Sequence, residues 1–361
     1  MVSIATLGSH SALDVSEGAK AEGFKSIVVC QKGREKTYAD YYKSRKRGDE
    51  QVGVVDEIIL LDKFKDIIAE KNQKQLLDQD ALFIPNRSFA VYVGYDAIEK
   101  DFQVPVFGNK HLLRAEERDV EKNQYYLLEK AGIRFPQEIK SPKSIDRLSI
   151  VKVSEARRSY ERAFFLASSY EDYHEKSREM LAEGKITAEA LKKAKIEEYI
   201  IGAYFNLNFF YSPISEELEL LGVDMRRQTN LDGFLRLPAD QQMEVSKYMT
   251  PTTIEVGHVA CTLRESLLEQ AFEIGEKFVA ATKKTYKDGL IGPFALQGAL
   301  EEKDGENFVC FDVSLRIPGS PGTRFTPYSD YLFRRSVSFG RRIAMEVKAA
   351  EKVNKFDLIT T

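Results

Sequence analysis

The chain has 361 residues, 43% of them hydrophobic and 30% charged, and a formal net charge of −3. That length can hold two or three domains with separate cores, and the near-balanced charge speaks against a general nucleic-acid or membrane-surface footprint. Three cysteines without paired spacing (Cys30, Cys261, Cys310) suggest neither a disulfide framework nor a zinc site. The opening MVSIATLGSH lacks both a basic region and a long apolar run, so no signal peptide is expected. No segment approaches the roughly 18 apolar residues of a membrane span, and a reducing cytoplasm is the expected setting.

Residues 2–31 read as strand, turn, helix and strand: VSIATL, GSHS, ALDVSEGAKAEG closed by Gly23, and SIVVC. This βαβ unit predicts a parallel sheet and an α/β domain. The turn Gly8-Ser9-His10-Ser11 falls where a strand's carboxyl end meets a helix N-terminus, which suits a phosphate, with His10 as a further donor. A serine N-cap on a tight turn is the plainer alternative. The pattern then repeats, with VVDEIILL as strand, KFKDIIAEKNQKQLL as helix, and ALFIP as a strand ending in a polar loop, Asn86-Arg87-Ser88. VPVFGN at 104–109 reads as another strand. Composition shifts to charge over 110–118, a helix runs to Lys130 with Gly132 as its stop, and the first domain boundary is expected near there.

In the next unit LSIVKV is a strand, and Lys152 within it has little use for its charge unless something anionic meets it. SEARRSYER is polar and arginine-rich, and AFFLASS follows. The helices YEDYHEKSREMLAEG and TAEALKKAK lead to a strand, IEEYIIG. From residue 204 the chain reads as β again. Tyr204, Asn206 and Asn208 alternate with Phe205, Leu207 and Phe209, which gives one polar face, and ELELLGVDMRR follows. ESLLEQAFEIGEKFVAATKKTY is an amphipathic helix, and a further helix, SFGRRIAMEVKAAEKVN, comes late in the chain. Between these helices, residues 292–316 (GPFALQGALEEKDGENFVCFDVSLR) read as a hairpin with Gly305 near its tip. Alternation places Val309, Phe311, Val313 and Leu315 on one face and Asp312, Ser314 and Arg316 on the other. Antiparallel pairing can bring Gln297 beside Asp312, and two oxygen ligands with a guanidinium nearby suit a divalent cation carrying a polyphosphate. An ordinary hairpin with a solvated face is the alternative. The sequence has no P-loop, no G-x-G-x-x-G, no H-E-x-x-H and no G-x-S-x-G motif.

Taken in order, IATLGSHSAL, PNRSF, VPVFGNK, IEEYIIG, FFYSP, ELELLGVD, LRESLL, IGPFALQ and SFGRRIAMEVK make the chain similar over nearly its whole length to one family. It resembles the archaeal 5-formaminoimidazole-4-carboxamide ribotide synthetases (the PurP family) of the ATP-grasp superfamily. The resemblance implies an α/β and α+β protein, with an amino-terminal parallel α/β (pre-ATP-grasp) domain over 1–115 that binds the ribotide. An ATP-grasp domain over 116–361 would follow, with a small lid subdomain at about 133–205. It also implies an ADP-forming ligase that joins formate to the amine of 5-aminoimidazole-4-carboxamide ribotide through a formyl phosphate, in purine biosynthesis. ATP and Mg²⁺ or Mn²⁺ would be needed, the partners would be small molecules, and a homo-oligomer is expected.

Carried over by position, His10, Ser88 and His258 match the ribotide contacts, and Gln297 and Asp312 match the metal ligands. Lys152, Glu198, Tyr199, Ile200 and Gln228 match the ATP site, with Arg316 at the phosphates. The sequence departs from the family in several places. Asp312 stands where glutamate is usual, Gln228 also replaces a glutamate, and His258 replaces an asparagine. The lid loop, residues 154–162, has no glycine, and IPGSPGTRF is a longer loop than usual, with Arg324 in an asparagine's place. Arg157, Arg158 and Arg324 are expected to supply by side chain the donors that glycine loops supply by backbone. The departures leave open a ligase for another acid or amine, or a non-catalytic paralogue that binds nucleotide and ribotide.

Overall fold

The structure is a computed structural model, and it describes residues 2–153, 163–249, 254–301 and 307–361. The expectations for Arg157 and Arg158 fall outside those residues. The amino-terminal strands have no polar alternation, so both of their faces need cover. β1 (Ser3–Leu7), α1 (Ala12–Glu22) and β2 (Lys25–Gln31) form the expected βαβ unit, and Gly23 closes the helix at φ 90°. An exposed ribbon of β3 (Arg45–Arg47) and β4 (Glu50–Val52) precedes β5 (Glu57–Leu61). After α2 (Glu70–Leu77) comes β6 (Ala81–Ile84), and the parallel sheet has the order β5-β2-β1-β6.

Three expectations change here. KFKDIIAEKNQKQLL is not one helix, because Ala69 is extended (φ −64°, ψ 136°) between a 3-10 turn, Phe64–Ile68, and α2. Asn86-Arg87-Ser88 is not a loop. Asn86 is a strong capping residue, and its side chain accepts from Phe89 N at 3.1 Å to start α3 (Arg87–Val93), which α4 (Tyr95–Lys100) follows. VPVFGN forms only isolated bridges, Val106 with Phe83 and Phe107 with Thr360. Pro105 has no N–H to donate, and Gly108 turns away at φ 90°.

After α5 (Gln124–Lys130), a second sheet forms from β7 (Glu138–Ile139), β8 (Ser149–Val153), β9 (Ala163–Ala167) and β10 (Lys195–Glu198), in the order β7-β10-β8-β9. α6 (Tyr170–Ala182) and α7 (Ala188–Lys192) cover it, with Val151, Phe165 and Ile196 in its core. The third sheet has the order β13-β12-β11-β14-β15. Its strands are β11 (Ala203–Ser212), β12 (Glu217–Gln228), β13 (Glu255–Cys261), β14 (Gly292–Glu301) and β15 (Asn307–Ser314). Two short helices, α8 (Thr229–Phe234) and α9 (Ala239–Val245), lie between β12 and β13. α10 (Leu268–Thr285) packs Phe278 and Val279 against Leu207, Phe209, Phe294 and Leu296 on one face of the sheet. On the other face, α12 (Phe339–Val353), which follows α11 (Tyr328–Phe333), covers only the half near Phe210 and Leu221. The uncovered half forms the floor of a cleft.

The hairpin pairs as expected, with Gln297 opposite Asp312, but its faces do not follow simple alternation. Gly298 pairs with Cys310, so Phe311 has no partner and forms a β-bulge, which reverses the parity of every later side chain. Phe308, Cys310, Val313 and Leu315 therefore face α10, while Val309 and Phe311 pack beside Ile200.

The parallel sheet and the carboxyl-terminal helix share one core, in which Ile4, Val15, Leu82 and Ile84 meet Phe339, Ile343 and Val347. α1 and α12 cross at glycines. A Cβ on Gly340 would lie 2.0 Å from Asp14 O, and one on Gly18 would lie 2.0 Å from Gly340 C. Below the crossing, Arg342 is buried between Glu219 and Glu346, with Nε–Oε2 and Nη1–Oε2 distances of 2.6 and 2.9 Å. No helix among the described residues is long and apolar enough to cross a membrane. Because neither backbone at the crossing can give way locally, Gly340→Ala should cost at least about 1–3 kcal/mol. Calorimetric melting should show the loss, and an unchanged melting temperature would rule out so tight a crossing.

Candidate functional site

The cleft floor is a polar row across four strands. Register sets Asp224 beside Asn206, Asn206 beside Gln297, and Gln297 beside Asp312. Asp224 is 1% exposed, so its carboxylate must find its partners inside the protein. Asn206 Nδ2 donates to Oδ2 at 2.8 Å and Asn208 Nδ2 to Oδ1 at 2.6 Å. His258 Nδ1 makes a short contact with Oδ2, and its Nε2 lies 2.9 Å from Glu255 Oε1. Burial works against a charged imidazole here, but the hydrogen bonds to Asp224 and Glu255 outweigh it and raise the His258 pKa to about 9. Arg226 continues the chain of contacts, with Nε 3.1 Å from Glu255 Oε2 and Nη2 3.7 Å from Asp312 Oδ2.

Gln297 is 6% exposed, and its Nε2 donates to Ser314 Oγ at 3.1 Å. Its Oε1 is buried with no hydrogen-bond partner among the described residues. An orphaned carbonyl oxygen beside a part-exposed carboxylate fits a hard cation. No cluster of three or more His, Cys, Asp or Glu that could hold a metal occurs among the described residues, so such a cation would take its remaining ligands from water and phosphate, as Mg²⁺ does.

The amino-terminal loops form the opposite wall. Ser88 Oγ donates to Ser9 Oγ at 2.6 Å and joins the GSHS turn to the start of α3. Ser11 is not a side-chain cap for α1. It sits at φ 60° and donates to Pro318 O, which ties the turn to the loop after β15. Gly319 of that loop passes where a Cβ would lie 3.2 Å from His10 Nδ1 and 3.8 Å from both Glu255 Oε1 and His258 Nε2. Partial loss of hydration, then the positive charge of Arg316, lowers the His10 pKa. Glu116, buried behind this wall, accepts from Leu315 N at 2.7 Å. Its carboxylate lies 3.3 Å from Arg87 and 3.5 Å from Arg316 Nε.

His10, Ser88, His258, Gln297, Asp312 and Arg316 are therefore neighbours around one cleft. Lys152, Glu198, Tyr199 and Ile200 lie on the second sheet and its exit. Among the described residues, an anion that meets Lys152 is Glu197, a buried carboxylate on the next strand that also accepts from Tyr125 Oη at 3.2 Å. Arg134 Nη2 is 2.8 Å from each Glu198 oxygen, and Ile200 packs on Ala299 and Val309. Arg118 links this sheet to the cleft, because it donates to Phe311 O at 2.8 Å and lies 3.5 Å from Glu197. Gln228 is at the far end of β12, in register with Glu255. Arg324 does not stand at the metal pair. Its Nη1 lies 3.5 Å from Glu17 Oε2 on α1, because the 3-10 turn Pro321–Phe325 aims it at the amino-terminal unit. The reading from sequence missed Asp224, Arg226, Glu255, Arg118 and Glu116. Asp224 and Arg226 could have been found as polar residues two apart in the strand ELELLGVDMRR.

A family model described as a protein of unknown function (DUF1246) matches residues 4–139, and one described as a domain of unknown function (DUF1297) matches residues 172–361. The chain is 41% identical over 361 residues to a Methanopyrus kandleri protein, covering 100% of this chain and 95% of that one. It is 38% identical over 364 residues to a Nitrosopumilus maritimus protein, covering all of both. Both relatives are named 5-formaminoimidazole-4-carboxamide-1-(beta)-D-ribofuranosyl 5'-monophosphate synthetase. The crystal structure of an IMP biosynthesis protein PurP from Thermococcus kodakaraensis superposes with a TM-score of 0.73 at 29% identity, covering 99% of this chain and 100% of that one. An N5-carboxyaminoimidazole ribonucleotide synthetase solved as its ADP complex is similar in fold, with a TM-score of 0.56 at 14% identity, covering 89% and 71%.

A raised folded-state pKa stabilises the protein fully below the ordinary value of 6.5, and that stabilisation is lost as pH rises through about 9. Between those values the wild-type melting temperature should fall relative to that of His258→Asn, and the imidazole should titrate near 9 by NMR. Parallel melting profiles would rule out the charged imidazole.

Proposed function

The chain belongs to the family of archaeal 5-formaminoimidazole-4-carboxamide ribotide synthetases, and on that premise we propose how its residues divide the reaction. It is an ATP-dependent ligase of the ATP-grasp fold that joins formate to the amine of 5-aminoimidazole-4-carboxamide ribotide in IMP biosynthesis. A formate oxygen attacks the γ-phosphorus, and the bond to the ADP oxygen breaks. The ribotide amine then attacks the formyl carbon, the bond to phosphate breaks, and the amine gives up one proton. An aromatic amine needs little help from a base, so the protein's work is positioning and charge stabilisation.

In our reading, residues 1–115 bind the ribotide, with His10 and Ser88 at the meeting of the GSHS turn and α3. Residues 116–361 bind ATP, with the lid at about 133–205 and with Glu198 at the end of β10 and Tyr199 and Ile200 just beyond it along the nucleotide. Lys152 and Arg316 serve the phosphates, and Gln228 contacts the nucleotide from the end of β12. His258 closes the ribotide side. Gln297 and Asp312 would hold Mg²⁺ or Mn²⁺, which when bound neutralises phosphate charge. The observation that carries this division is the orphaned Gln297 Oε1 beside Asp312, in the same cleft as His10, His258 and Arg316. The reading includes a cytoplasmic setting and a homo-oligomer. Leu235, Met243, Tyr248 and Val256, exposed at 62%, 73%, 81% and 65%, offer apolar area for a second copy, which sedimentation would test. The charged His258 in place of an asparagine favours, as a second reading, a ligase whose amine or acid differs from the family's.

The deciding experiment measures ADP release by the purified chain with the ribotide and a panel of carboxylates. Turnover that requires both formate and ribotide is the expected result, and turnover with another acid would establish the second reading. Asp312→Asn should lower kcat/KM at least about a hundredfold, about 2.7 kcal/mol, with little change in melting temperature. His10→Ala should weaken ribotide binding by calorimetry about tenfold, about 1.4 kcal/mol, and an unchanged affinity would remove His10 from the site.

A further inference from the structure

We propose that Arg226 receives the formate carboxylate, and then the formyl phosphate, between the nucleotide and ribotide halves of the cleft. The inference rests on the ligase reading above. It adds to that reading the residue that would bind the acid.

The placement comes from the sheet. Arg226 is one step along the cleft face of β12 from Asp224, and its register partner is His258. One end of its guanidinium is directed to Asp312 on the proposed cation side, with Nη2–Oδ2 3.7 Å. The other end meets Glu255, with Nε–Oε2 3.1 Å, and the second oxygen of that carboxylate is 2.9 Å from His258 Nε2. Arg226 thus spans the gap that an acyl group must cross. Among the described residues it is the one arginine or lysine on this face of the five-stranded sheet. Arg227 points to the opposite face and pairs with Asp232.

The other cations near the cleft are already paired with buried carboxylates. Arg87 and Arg316 share the buried Glu116, and Lys152 is paired with Glu197. Arg226 is 35% exposed and loosely held at its outer end. A separation of 3.7 Å is too long for an N–H···O hydrogen bond, so Asp312 does not tie up Nη2, and the ion pair to Glu255 is nearest at Nε. The terminal nitrogens form a fork that matches a planar carboxylate, while the ion pair at Nε keeps the group beside Glu255. Glu255 is held by His258, His258 by Asp224, and Asp224 by Asn206 and Asn208, so the support beneath the fork extends into the buried sheet. Pre-organisation of this kind lowers the entropy cost of holding a small acid.

The test uses the full chain as wild type, Arg226→Met and Arg226→Lys, with formate varied at saturating ATP and ribotide. Arg226→Met should raise the formate KM at least about tenfold, about 1.4 kcal/mol, while the ribotide affinity by calorimetry and the Mg²⁺ activation constant stay within about twofold. Arg226→Lys keeps the charge but lacks the fork, so its formate KM should be intermediate. Line broadening of ¹³C-formate with a non-hydrolysable ATP analogue should be seen with wild type and lost in Arg226→Met. An unchanged formate KM in a wild type that turns over formate would overturn the assignment and leave the ligase reading intact. A shift in the Mg²⁺ constant alone would also overturn it, by reducing Arg226 to a counter-ion of Asp312. If wild type releases no ADP with formate and ribotide, the ligase reading fails and the assignment fails with it. Should Arg226→Met not fold, Arg226→Lys decides the matter, because a raised formate KM supports the proposal and an unchanged one overturns it.

Discussion

A carboxylate taken out of water in the middle of a sheet dictates what stands around it. Among the described residues Asp224 has three side-chain partners, Asn206, Asn208 and His258, and each of them fixes part of the cleft. Asn206 is held beside Gln297, and Asn208 accepts from Ser320 Oγ at 3.1 Å, which anchors the loop that carries Gly319 past His10. His258 passes the constraint to Glu255 and so to Arg226. Removing one partner would leave a buried polar group unmatched, which costs about 1–3 kcal/mol. The polar floor is therefore a single unit, and its geometry precedes any ligand.

The architecture explains why this floor is open at all. Both faces of a sheet ordinarily seek cover, and α10 packs against one face over β11 and β14. On the other face, α12 stops at the Phe210 end, because the glycine crossing with α1 fixes where it can lie. The amino-terminal loops then face the uncovered half across a gap, joined to it at Ser11 and Pro318. In this way the crossing of two helices sets the width of a cleft some distance from it.

Most of the scaffold could be read from sequence, because it rests on periodicity. The βαβ unit, the long helices and the pairing of Gln297 with Asp312 all follow from alternation and helical spacing. The faces of the hairpin could not be read in this way, since a bulge at Phe311 leaves no trace in composition yet reverses every side chain after it. Lys152 needs an anion, and among the described residues it meets Glu197, which lies in IEEYIIG but is set beside the lysine only by the pairing of β10 with β8. The network from Asp224 through Arg226 escaped notice for a similar reason. Asp224 and Arg226 share one strand, but Asn206 and His258 lie on its two neighbours, and only register sets them beside it.

Sharing one core between the first and last segments has a consequence for synthesis. Gly340 N donates to Asp14 Oδ2 at 3.1 Å across a sequence separation of 326 residues. Residues 106–108 are likewise bridged by 359–361, with Val106 N and Thr361 O 3.0 Å apart. Ile4, Val15 and Leu82 therefore cannot be buried until the residues of α12, more than 250 positions later, are also in place. Contacts so far apart carry a large loop-closure cost and slow the search for the native state. During translation the nascent parallel sheet keeps an apolar flank uncovered until the residues of α12 have been made.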